Sequence, residues 1–224
     1  MNHSTTSQPV AVPDMVTQRA LVKPSRPSGL QQWWVVQQVR WWNVLGQPEK
    51  TAAVYAHAMQ RWPQWGDAVE GLAFCHAARG RTEQAVALLS DLVAQDANRA
   101  NAWFNLGFLL QQHPATQRSA QGVHADAALR RATELDPQLD RAWYGLALEL
   151  IAQGQHREAV ACLKACTKIQ PMSPYAWYQL GRTYHTLGKA DKAREVLVHL
   201  KTFDPKISGQ LQREIESLAV APTP

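Results

Sequence analysis

Apolar and polar positions along this chain alternate at helical spacing, and they do so in a recurring phrase. Ala102-Trp103-Phe104-Asn105-Leu106-Gly107, Ala142-Trp143-Tyr144-Gly145-Leu146-Ala147 and Ala176-Trp177-Tyr178-Gln179-Leu180-Gly181 read alike. The second and third phrases lie 34 residues apart, and the first and second lie 40 apart. Each stretch ends in a similar stop, at Leu135-Asp136-Pro137, Ile169-Gln170-Pro171 and Phe203-Asp204-Pro205. Proline disfavours helix in the residue before it, so these stops close helices. Gly80, Gly154 and Gly188 stand where a left-handed turn ends a helix. Gly107, Ala147, Gly181 and Ala193 are small enough for two helices to cross closely, while Trp143, Leu146 and Leu163 fill the space between them. After Pro205, the residues Ile207, Leu211, Ile215 and Leu218 are spaced by three and four, which predicts one more amphipathic helix.

A repeated pair of helices cannot bury its apolar face alone, so stacked neighbours must supply the core. The pattern resembles the tetratricopeptide (TPR) repeat, a 34-residue helix–turn–helix with W-x2-L-G-x2-Y…A-x3-F…P. The stretch from Pro174 matches it at Trp177, Leu180, Gly181, Tyr184, Gly188, Ala193, Leu197 and Pro205. The stretch from Asp140 matches at Trp143, Leu146, Ala147, Gly154, Ala159, Leu163 and Pro171. The stretch from Ala100 matches at Trp103, Leu106 and Gly107, then slips by six residues before Ala125, Leu129, Ala132 and Pro137. Counting back finds a unit at Gly66 and a degenerate one at Gln32. The resemblance implies an all-α, right-handed solenoid of antiparallel helix pairs with a C-terminal capping helix. Its units would cover 32–65, 66–99, 100–139 with an insertion at 113–122, 140–173 and 174–207, with the cap at 207–219 and the whole solenoid spanning 31–219.

In this family the first helix of each unit lines a concave groove. Carried over position by position, the resemblance implies a partner-binding groove of Phe74, Asn101, Phe104, Phe108, Gln111, Arg141, Tyr144, Leu148, Tyr175, Tyr178, Arg182 and His185. Exposed aromatic rings give large contact area at little rotamer cost, and arginine and amide groups can hold a peptide backbone or carboxylate. Some family members clamp a carboxylate with Lys and Asn. Here Glu70 and Phe74 occupy the first Lys and Asn positions, so that clamp is not reproduced.

Tryptophan does not follow the repeat alone. Of nine Trp, four fall in Trp33-Trp34-Val35-Val36-Gln37-Gln38-Val39-Arg40-Trp41-Trp42. At helical spacing the apolar residues of this segment surround most of the helix, which asks for burial on more than one side. Trp33, Trp34, Trp41 and Trp42 are therefore a candidate second interface, for a partner, a second copy of the chain or a membrane surface, where Trp is favoured.

The net charge of +5 is spread. Residues 1–65 hold six basic and two acidic groups, 66–139 hold six and eight, and 140–224 hold eleven and eight. No clustered basic face of the kind nucleic acid requires stands out. Residues 1–29 are polar with Arg19, Lys23 and Arg26, so a disordered basic tail is expected over 1–30 and another tail over 220–224. No signal-peptide run and no stretch of 18 apolar residues occurs, which points to a cytoplasmic location. Cys75, Cys162 and Cys166 form no zinc or disulfide pattern and are expected in the core. No catalytic motif is present, the eight His are scattered, and no metal or cofactor is implied. The expected function is a non-enzymatic scaffold, adaptor or assembly factor binding a protein or peptide segment. The alternatives are a membrane-proximal assembly factor docking through the Trp-rich helix, and a regulatory nucleic-acid-binding subunit.

Overall fold

The computed structural model describes residues 26–113 and 122–220. Most of the tail expected over 1–30, most of the 113–122 insertion and the last four residues lie outside the described residues. Eleven helices and no strand are found among the described residues: α1 (Gly29–Val44), α2 (Pro48–Arg61), α3 (Gly66–Ala77), α4 (Thr82–Gln95), α5 (Ala100–Gln112), α6 (Ala125–Leu135), α7 (Asp140–Ala152), α8 (His156–Ile169), α9 (Pro174–Thr186), α10 (Ala190–Phe203) and α11 (Pro205–Val220). The fold is an all-α solenoid of helix pairs, as the repeat pattern implies. It divides into two compact units, one running to Ala68 and the other from Val69.

The turns explain the pairing. Gly46, Gly80, Gly154 and Gly188 all take φ between +63° and +75°, a region that costs other residues a Cβ clash. At each turn the amide after the glycine bonds five residues back: Gln47 N to Trp42 O at 2.9 Å, Arg81 N to His76 O at 2.9 Å, Gln155 N to Leu150 O at 2.8 Å and Lys189 N to Tyr184 O at 2.9 Å. This is the Schellman closure, which satisfies carbonyls that a helix end leaves over. The degenerate first unit keeps it at Gly46, although its Trp and Leu positions have drifted. Helices α6, α8 and α10 stop two residues before Pro137, Pro171 and Pro205. Asp204 then caps α11 by accepting from Ile207 N at 3.0 Å.

In the first unit, Val35 and Val39 of α1 pack with Ala58, Trp62, Trp65 and Ala68. Trp62 and Trp65 meet edge to face at 6.0 Å. The expectation that α1 is covered on more than one side is not met within this unit: Trp33, Trp34 and Trp41 are exposed, and Trp42 is half-buried.

In the second unit, one core runs from α5 to α11. Leu129, Leu146, Leu150, Leu163, Leu200 and Leu211 are fully buried in it. The small residues stand at close approaches. A Cβ on Gly107 would come 2.7 Å from Leu129 Cγ, and one on Gly181 would come 2.5 Å from Leu211 Cδ2. The three cysteines are buried and unlinked. Burial pushes the Cys75 and Cys162 thiols up and Cys166 to about 11, so these thiols stay protonated and act as small apolar groups.

Candidate functional site

The repeat tryptophans tie one helix pair to the next. Trp103 Nε1 donates to Ala97 O at 2.9 Å, Trp143 Nε1 to Pro137 O at 3.0 Å, and Trp177 Nε1 to Pro171 O at 2.7 Å. Each bond reaches back six residues, across the stop into the preceding unit. The donor therefore fixes where each first helix starts relative to the helix before it. These indoles serve the scaffold, and the surface that they position belongs to the first helices.

Those first helices are joined by polar bridges within the second unit. Arg99 Nε, just before α5, pairs with Glu70 of α3 at 2.8 Å. Gln111 of α5 donates to Gly145 O at 3.1 Å and to Glu149 at 3.2 Å, both on α7. Burial pushes the Tyr144 phenol above its ordinary value, while Gln179 of α9 pulls the other way. Tyr178 of α9 donates to Glu214 of α11, and Arg182 Nε pairs with the same carboxylate at 2.6 Å. Burial and then Glu214 raise the Tyr178 phenol, which keeps it the donor in that bond.

The residues expected in a groove thus divide into four kinds. Phe74, Phe108 and Tyr175 are 74%, 43% and 63% exposed. Asn101 and Arg141 are exposed beside them, and the Arg141 guanidinium lies 5.1 Å from the Phe104 ring centre. Gln111, Tyr178 and Arg182 are engaged in the bridges just described. Tyr144, Leu148 and His185 are half-buried. Phe104 differs from the expectation of an exposed contact. It is only 8% exposed and packs into the core, 6.0 Å from Phe108 and at a tilt. Its position on the helix faces the neighbouring pair, and its ring serves as the floor under Arg141 and Phe108.

Sequence reasoning missed Glu149 and Glu214. Both lie half-buried at the edge of the apolar face, three residues after Leu146 and Leu211, in helices where the pattern was read from apolar positions. The one available signal was that each follows an apolar repeat residue by a turn or less, as Glu214 follows Leu211. Among the described residues, no cluster of His, Cys, Asp and Glu could hold a metal ion. No helix there is long and apolar enough to cross a membrane.

A tetratricopeptide repeat family model matches residues 45–106, a TPR repeat model matches 147–188, and a second tetratricopeptide repeat model matches 174–207. No curated protein matches the chain by sequence. Among solved structures, the chain is similar to YrrB, described as a TPR protein with an unusual peptide-binding site, at TM-score 0.63 and 19% identity over 80% of this chain and 90% of that one. It is similar to MamA at TM-score 0.62 and 21% identity over 80% and 96%. It is also similar to a thermophilic TPR protein of Thermus thermophilus, TTC0263, at TM-score 0.57 and 18% identity over 84% and 99%.

Proposed function

We propose, from the premise that this chain belongs to the tetratricopeptide repeat family, that it is a non-enzymatic protein-interaction scaffold that seats a partner segment across its first helices. The fold supports a scaffold at the coarse level. The finer reading rests on one observation: Phe74, Phe108 and Tyr175 hold large rings in solvent on α3, α5 and α9. Solvating such rings is unfavourable, and rings of this kind make strong anchors once a partner desolvates them.

The bridges supply the second requirement, which is rigidity. Gln111 and Glu214 lock neighbouring first helices together, so the rings need little ordering when a ligand arrives. Arg141 and Asn101 add donors for a backbone carbonyl or a carboxylate. The ligand that fits is an extended or helical segment with spaced apolar side chains. One structural relative is described as having an unusual peptide-binding site, and a peptide is the ligand class we assign here.

The test is capture of partners by the full chain and by a Phe108→Ala, Tyr175→Ala double variant. Both rings are substantially exposed, so helicity and melting should hold. Loss of two anchors should weaken a specific partner at least about tenfold. Equal recovery of the same partner by the folded double variant would remove the basis for this reading.

A further inference from the structure

We propose that α1 docks the N-terminal unit onto the surface of an anionic lipid bilayer, with its exposed indoles at headgroup depth. This goes beyond the scaffold reading, because it concerns a different helix and a different kind of ligand.

Helix α1 has two apolar faces. Val35 and Val39 point into the first unit's core. On the other side, with 3.6 residues per turn, Leu30, Trp33, Trp34, Trp41 and Val44 fall within an arc of about 100°. All five are more than half exposed. Gln37 is the polar residue inside this arc, and Arg40 stands at its edge. A helix with one apolar face needs one neighbour; this helix has a second face, and the described residues of its unit leave it in solvent.

Size argues against a second copy as the occupant. Sixteen residues of helix extend about 24 Å, and one helix face about 10 Å wide offers a few hundred Å². A stable pair of proteins needs roughly 800 Å² on each side. A bilayer sets no such threshold of shape or area. Tryptophan suits it specifically, because an amphipathic indole is favoured at the headgroup boundary.

Charge points the same way. The chain's first 65 residues carry six basic groups against two acidic ones, whereas 66–139 carry six against eight. Arg40 borders the apolar arc, and Lys50 of α2 places its ammonium 4.2 Å from the Trp42 ring centre. Basic groups beside an interfacial helix add attraction to an anionic leaflet. Next to the arc, a groove of about 510 Å³ between α1 and α2 is lined by Trp34, Trp42, Ala53 and Val54 together with Lys50 and His57. Among the described residues no carboxylate lines it, so the groove admits an acyl chain beside the Lys50 ammonium, which suits a phosphate. Since no described helix is long and apolar enough to span, the geometry is surface docking.

The experiment is density-gradient flotation of the full chain with phosphatidylcholine vesicles and with vesicles containing phosphatidylglycerol. The wild type should float with the anionic vesicles, less with the neutral ones, and less again at about 1 M salt, where the Debye length is about 3 Å. A Trp34→Gln, Trp41→Gln double variant should lose about tenfold or more of the bound fraction. Quenching of wild-type tryptophan fluorescence by brominated lipid gives a readout that needs no variant, and it should be seen with anionic vesicles. Absence of both flotation and quenching would overturn the proposal, as would equal flotation by the folded double variant. Concentration-dependent dimers that the double variant abolishes, without vesicle binding, would assign the face to a second copy and overturn it too.

Discussion

Gly107 and Gly181 occupy the same place in their repeats, yet they are not equally committed. At Gly107 an added methyl would meet Leu129 Cγ at 2.7 Å and the Ala125 carbonyl oxygen at 3.1 Å. Leu129 is fully buried, and a backbone oxygen has nowhere to go. At Gly181 the near atoms are methyls of buried Leu211 at 2.5 Å and Val196 at 3.1 Å, with no backbone atom among them. Ala147 fills the matching place in α7 and is itself fully buried. Gly107→Ala should therefore cost about 1–3 kcal/mol by overpacking, and Gly181→Ala distinctly less, as measured by denaturant unfolding of each variant. Equal costs would mean that small size at this position is set by something other than these contacts. At this scale the sequence was legible for volume and much less for polarity. The tryptophans were identifiable as fillers, but their i to i−6 hydrogen bonds depend on how the stop bends the chain back. Phe104 and Phe108 sit four apart and look alike in sequence. One is buried and the other is exposed because a helix face is wide and its edge is set by the neighbouring pair.

The helix pair depends on its turn. Gly46, Gly80, Gly154 and Gly188 share a left-handed conformation and one closing bond pattern. Three of these were legible from spacing alone. Gly46 makes the same turn, although its unit keeps little else of the repeat, because the turn requires glycine whatever the core residues become. Nothing crowds a Cβ at Gly154, so only the backbone conformation opposes a side chain there. Gly154→Ala should thus destabilise by about 1–2 kcal/mol with α7 and α8 otherwise intact, checked by thermal melting and a circular dichroism spectrum. A neutral effect would mean that the turn can relax out of the left-handed region. Helix α11 shows the limit of pattern reading. Its apolar spacing marked it as a cap over the last pair, and Leu211 does seal Gly181. Its acid Glu214 binds Tyr178 and Arg182, and so takes up two of the residues expected to face a ligand. A single-helix pattern cannot report which polar residue a neighbour will present.

At the scale of the molecule, repetition accounts for the fold, and exposed aromatic rings that the packing does not use mark the candidate surfaces. The exposed rings at Phe74, Phe108 and Tyr175 recur at repeat positions but are not needed to hold the repeats together. On the exposed face of α1, Trp33 takes the same repeat position as Tyr175, whereas Trp34 stands where the later units hold Ala68, Ala102, Ala142 and Ala176. The chain contains two compact units, and each carries one such surface: α1 in the first, and the bridged first helices in the second. The family membership makes a scaffold the expected role, while the choice of partner rests on the chemistry of those side chains. The most direct test of the central claim is hydrogen exchange on the full chain, with and without a peptide selected for binding from a display library. Protection is expected along α5, α7 and α9, around Phe108, Arg141 and Tyr175, with α6, α8 and α10 little changed on their outer faces. Protection confined to the second helices, with no change on α5, α7 and α9, would contradict the account.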